Sequence, residues 1–133
     1  MFLLDTNVCV HFLRGNNLPI RQYLSSYPTH EVCLCSVVLS ELYCGALRSA
    51  KPVKNRADVD QFAAPFACLL FDQSAADAFA CIRHHLETRG TPIGPYDLQI
   101  AAIALANGCT LVTHNTGEFQ RVPGLLLVDW ETL

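Results

Sequence analysis

The chain has 133 residues, 51% of them hydrophobic, and a net charge of −3 at neutral pH. That length suits one domain around one core, and the apolar content excludes disorder as the main state, because buried surface offsets chain entropy. No apolar run approaches the roughly 18 residues of a membrane span, and Met1-Phe2-Leu3-Leu4-Asp5 reaches an acid with no basic leader, so a soluble cytoplasmic protein without signal peptide is expected.

Taken in order, Phe2-Leu3-Leu4 reads as a short buried strand, followed by Asp5-Thr6-Asn7 and a helix over 8–14 that Gly15 ends. Pro19 opens a second helix, over 17–27, and Pro28 closes it; 31–35 form the next strand. Ser36 is the expected cap of a helix over 37–50, and a more polar helix covers 53–67 with Pro65 near its end. Leu69-Leu70-Phe71 reads as the third strand, and Ser74 as the cap of a helix over 75–89 stopped by Gly90. Pro95 opens the helix 96–107, which Gly108 ends; 110–113 is a fourth strand and 125–128 a short fifth. Strands alternating with helices predict a single α/β domain over 1–133, with a mostly parallel sheet of four to five strands flanked by helices. In such sheets ligands bind at the carboxyl ends of the strands.

The seven cysteines (9, 33, 35, 44, 68, 81 and 109) are odd in number, lack Cys-x-x-Cys or zinc-finger spacing, and sit mostly in apolar stretches. Reduced thiols acting as small core residues are expected rather than a disulfide framework.

Four acids stand out. Asp5 directly follows the first strand, where it also has an ordinary use as a helix cap. Glu41 has Val37, Val38, Cys44 and Gly45 as its helical neighbours, all small or apolar, and no base within one turn; Arg48 lies two turns on. A carboxylate so placed needs a partner, and a cation would serve. Asp97 lies in the first turn of a helix whose run Ile100-Ala101-Ala102-Ile103-Ala104-Leu105-Ala106 is apolar on nearly all sides. Such a helix is buried, so its start presents Asp97 to the interior or a cleft. Glu118 follows the fourth strand. Acids at two strand ends and on two buried helices suit Mg²⁺ or Mn²⁺, hard ions that take oxygen ligands.

Leu3-Leu4-Asp5-Thr6-Asn7, Ser40-Glu41-Leu42 with Gly45-Ala46, Asp97 leading into Ile100-Ala101-Ala102, and Leu111-Val112-Thr113 with Asn115 and Phe119 together resemble a PIN domain over 2–130. The stretches 90–97 and 118–125 resemble the VapC toxins of bacterial toxin–antitoxin pairs in particular. The resemblance implies a PIN-like three-layer fold and a Mg²⁺- or Mn²⁺-dependent endoribonuclease. Asp5, Glu41 and Asp97 match the family's core acids, Glu118 matches a fourth position where the family often has Asp, and Thr6, Thr113 and Asn115 match polar positions lining the site. His114 departs from the asparagine expected beside Asn115, and an exposed loop histidine is the plain reading. The resemblance further implies tRNA as substrate (the anticodon stem-loop, initiator tRNA included), a VapB antitoxin and a homodimer. The helices 8–14 and 17–27 are candidate faces for both partners.

An acidic chain is not an obvious RNA binder, but two divalent ions would more than offset the deficit. Arg48, Lys51, Lys54 and Arg56 cluster within nine positions; they are either a solvated face or an edge that steers phosphates. A phosphoacceptor receiver domain is the rival of another class, with Asp72 as acceptor, but no lysine follows Lys54 and that chemistry wants one after the last strand. A housekeeping RNA-processing nuclease and a non-catalytic binding module are the remaining alternatives.

Overall fold

The computed structural model describes residues 1–132, so the last residue of the expected single unit lies outside the described residues. Five strands form one sheet: β1 (Phe2–Leu4), β2 (Val32–Cys35), β3 (Ala67–Leu69), β4 (Thr110–Val112) and β5 (Leu126–Val128). Their order is β3-β2-β1-β4-β5 and all four pairings are parallel. The chain steps outward from β1 to β3, then returns to the other side of β1 for β4 and β5. With right-handed crossovers, helices of the two halves cover opposite faces, which gives three layers. This order differs from the 2-1-3-4-5 of receiver domains. The switch of direction lies between β1 and β4, the place where sheets of this kind bind ligands outside the carboxyl ends of their strands.

The helices are α1 (Thr6–Arg14), α2 (Leu18–Ser26), α3 (Ser36–Arg48), α4 (Pro52–Ala63), α5 (Gln73–Thr88), α6 (Pro95–Ala106) and the single turn α7 (Thr116–Phe119). Helix α6 is buried as its composition requires: Leu98 and Ile100 to Ala104 are all at most 5% exposed. One apolar cluster joins it to α1, α3 and the three inner strands β1, β2 and β4. Near the carboxyl terminus Trp130 is buried, stacked on Tyr23 and Tyr27 with Phe2 tilted against it.

Several boundaries differ from expectation for local reasons. Helix α1 starts at Thr6, because Asp5 itself is the cap and accepts the Thr6 amide. Ser36 is inside α3 rather than its cap; β2 runs straight into the helix through extended Cys35. Helix α4 stops at Ala63 instead of 67, since Pro65 has no amide hydrogen with which to continue the helical bonding. The third strand is consequently Ala67–Leu69, paired with Cys33 to Cys35, while Leu70 and Phe71 are exposed. Asp72, not Ser74, caps α5 by accepting the Ala75 amide at 3.0 Å, which leaves it a structural role and removes it as a phosphoacceptor. Cys9, Cys33, Cys35 and Cys109 are core thiols as expected, but Cys44, Cys68 and Cys81 are exposed; all seven are free.

Candidate active site

The extended backbone of β1 ends in a hydrogen bond from the Asp5 amide to the Val112 carbonyl, so Asp5 emerges between β1 and β4. Its carboxylate is 6% exposed. One oxygen accepts the Thr6 amide at 2.8 Å and the other the Thr113 hydroxyl at 2.8 Å. Thr113 follows β4 and is fully buried; its hydroxyl also accepts the Asn115 amide at 3.0 Å, so its proton is left for Asp5. Helix α1 begins at Thr6, whose hydroxyl donates to Glu41 on α3 at 2.7 Å. That bond joins two helices whose residues are 35 positions apart and aims the Glu41 carboxylate at Asp5.

Glu118 lies in α7, just past β4. Its two oxygens accept the Asn115 side-chain amide at 2.7 Å and the backbone amide of Gly94 at 3.2 Å. Gly94 is the residue before α6, and Asp97 lies in the first turn of that helix. The loop entering α6 and the loop leaving β4 are thus tied together, with Asp97 and Glu118 side by side.

The electrostatics show that the four acids share one site. Burial pushes the Asp97 carboxyl up to about 7, and the charges of Asp5, Glu118 and Glu41 add to the effect, as does a hydrogen bond from the protonated form to Glu118. Burial likewise raises Asp5, against the lowering effect of Thr113 and Thr6, with Glu41 and Glu118 raising it further. Among the described residues, no lysine or arginine pairs with any of the four. The neighbours are hydroxyls and amides, which orient carboxylates without neutralising them. Four oxygen donors with unbalanced charge fit a hard divalent cation.

All seven expected residues therefore converge: the acids 5, 41, 97 and 118, and the polar residues Thr6, Thr113 and Asn115. The basic cluster does not act as one body. Lys54 pairs with Asp58 at 2.9 Å, and Arg56 pairs with Asp60 at 3.2 Å while lying over the Tyr43 ring at 3.6 Å. These are i, i+4 pairs along α4; all four bases are exposed, and Arg48 and Lys51 are the two without a salt bridge among the described residues. Arg48 is not the partner of Glu41; Thr6 is. Sequence reading also passed over Arg14, which lines the same groove between α1, α3 and α4 as Glu41. It missed Asp129 and Glu131 too, although both follow the last strand at the end where function gathers.

The PIN domain family model matches residues 2–125. The chain is 39% identical to the tRNA(fMet)-specific endonuclease VapC of Salmonella typhimurium over 97% of each chain. It is 33% identical to ribonuclease VapC2 of Rickettsia felis over 98% of each. Among solved structures it is similar to the DNA-bound VapBC of Salmonella typhimurium, with a TM-score of 0.91, 38% identity and 97% of each chain covered. It is also similar to VapBC2 of Rickettsia felis bound to a promoter DNA fragment, with a TM-score of 0.89, 32% identity, and 97% and 98% covered.

Proposed function

The chain belongs to the PIN domain family, and from that premise we propose that it is the toxin of a VapBC pair, a divalent-metal-dependent endoribonuclease acting on tRNA, initiator tRNA foremost. The observation that carries the reading is the convergence of Asp5, Glu41, Asp97 and Glu118, from four separate elements, at the switch point of the sheet with no basic partner. Relatives named as tRNA(fMet)-specific endonucleases support the substrate. Toxin–antitoxin complexes among the similar structures support a VapB-type antitoxin as the restraining partner. No described helix is long and apolar enough to cross a membrane.

Asp5, Glu41, Asp97 and Glu118 are the residues that would hold Mg²⁺ or Mn²⁺. When bound, the cation acidifies a water and neutralises charge building on the phosphate. The chain's own residues do the rest. Thr113 and the Thr6 amide fix both oxygens of Asp5, Thr6 fixes Glu41, and Asn115 with Gly94 fixes Glu118. Carboxylates held in this way spare reorganisation during reaction. One of the four carboxylates takes the proton of the attacking water at an oxygen. The new P–O bond forms in line as the ester P–O bond breaks. No side-chain nucleophile is required. The exposed Arg48 and Lys51 beside the groove are the bases that meet phosphates, with Lys54 and Arg56 contributing only as their own acids release them.

The test is cleavage of total tRNA by the purified chain with Mg²⁺, Mn²⁺ or EDTA, wild type beside Asp5→Ala and Asp97→Asn. Discrete fragments that vanish with EDTA and with either substitution are expected. Intact tRNA alongside cleavage of another RNA would overturn the substrate. No cleavage of any RNA by the folded, metal-loaded wild type would overturn the nuclease reading.

A further inference from the structure

A second group of metal-ligating side chains lies at the sheet's β4–β5 edge, apart from the four acids. His114 follows β4, and Asp129 and Glu131 follow β5, so parallel pairing of the two strands brings them together. His114 Nδ1 is 2.8 Å from Asp129 Oδ2 and 3.8 Å from Glu131 Oε2, and one ligand atom from each residue lies within 4.8 Å of the others. Tetrahedral zinc with bonds of about 2.0–2.1 Å separates its ligand atoms by about 3.4 Å. The distances from His114 to the two acids bracket that value.

A fourth group approaches from α1. His11 Nε2 is 3.6 Å from the other oxygen of Glu131, Oε1. His11 Nδ1 faces Asn16 Oδ1 at 3.4 Å. A neutral imidazole donating from Nδ1 leaves a lone pair on Nε2, aimed at a carboxylate. A cation between the two satisfies both. Burial differs in the useful sense: the Glu131 side chain is 13% exposed and that of His114 is 62% exposed, so the acid is built in and the imidazole forms the open mouth.

We propose that His114, Asp129 and Glu131, with His11 on the fourth side, bind a divalent transition-metal ion of the zinc class. Two imidazoles and two carboxylates suit a borderline ion, whereas the all-carboxylate centre suits a hard one. The ion would fasten three parts of the chain: α1, the loop after β4 and the segment after β5. The middle part carries Thr113 and Asn115, which hold Asp5 and Glu118. Occupancy therefore stiffens the acid centre's supports without adding a ligand to it.

The experiment is calorimetric titration of zinc into the full chain at neutral pH, with Mg²⁺ in large excess to hold the four acids. Wild type, H114N, D129N, H11F and D97N are compared, each checked for folding by circular dichroism. Expected is a single saturable equivalent, retained in D97N, weakened about tenfold or more in H114N and D129N, and less in H11F. Cobalt substitution should give the intense visible bands of a tetrahedral site in wild type and lose them in H114N. Absence of saturable zinc binding overturns the proposal and leaves His114 as a simple ion pair with its two acids. Binding that survives H114N but disappears in D97N overturns it equally, by putting zinc among the four acids.

Discussion

Two groups of carboxylates stand at the carboxyl ends of this sheet, and their neighbours set them apart. Asp5, Glu41 and Glu118 accept from hydroxyls and amides, and Asp97 stands against Glu118. Asp129 and Glu131, two strands over, meet imidazoles. Dipoles orient negative charge but leave it standing, so burial together with the charges of Asp5, Glu118 and Glu41 raises the Asp97 carboxyl to about 7. The His114 imidazole answers charge with charge: hydrogen bonding to Asp129, with Glu131 and Asp129 nearby, raises its pKa above its ordinary value. The same residue type thus becomes a hard-ion cage or a mixed-donor cluster according to what the fold places beside it.

The sharpest way to break this contrast is Asp97→Asn, which keeps shape and removes charge. RNA cleavage in Mg²⁺ should fall by about a thousandfold, the equivalent of several kcal/mol of transition-state stabilisation. A loss under tenfold would mean that the four acids do not act as one centre. Thr113→Val comes next. It removes the hydroxyl that holds Asp5 and should weaken Mg²⁺ binding and cleavage by about 10- to 100-fold, read from the metal dependence of the rate.

How far this could be seen beforehand follows from the range of each signal. The acids were legible because each sits where burial and strand ends make charge costly: Glu41 among apolar helical neighbours, Asp97 at the head of an apolar helix. Alternating elements carried the parallel sheet. The order of strands was not legible, since nothing local in β3 or β5 says which side of β1 it joins. Ser74 and Asp72 are both good caps, and only backbone geometry chose Asp72. The pairing of Lys54 and Arg56 with acids four residues on was open to reading, because i, i+4 spacing is a sequence fact. The grouping of His114 with Asp129 and Glu131 was hidden for the opposite reason: it arises through the pairing of β4 with β5, and His11 joins it from α1.

Acidity offers a gentler probe of the comparison. The folded Asp97 pKa lies above its ordinary 3.8, so its protonated form favours the fold. Its contribution is full below about pH 4, declines as pH rises through about 7, and is lost above that. With EDTA present, the melting temperature of wild type should fall across that window more than that of Asp97→Asn, and saturating Mg²⁺ should abolish the difference. His114 also has a raised pKa, so its ion pairs stabilise fully below its ordinary 6.5 and fade as pH rises through the folded value. His114→Asn should remove that part of the slope alone. If one substitution flattened both, the two groups would not be independent. Smallest of all is Lys54→Ala, where an exposed i, i+4 pair is lost; urea titration should register under about 0.5 kcal/mol.

Trp130 is the chain's sole tryptophan, and it separates Asp129 from Glu131 in sequence while lying buried at 1% exposure against Tyr23 and Tyr27. Its indole is consequently a built-in optical gauge. Emission excited selectively in this one chromophore comes from a single, defined environment, with no other indole to dilute it. A shift in its wavelength or lifetime would record movement of the carboxyl-terminal segment in the unlabelled wild-type protein, in real time and during turnover.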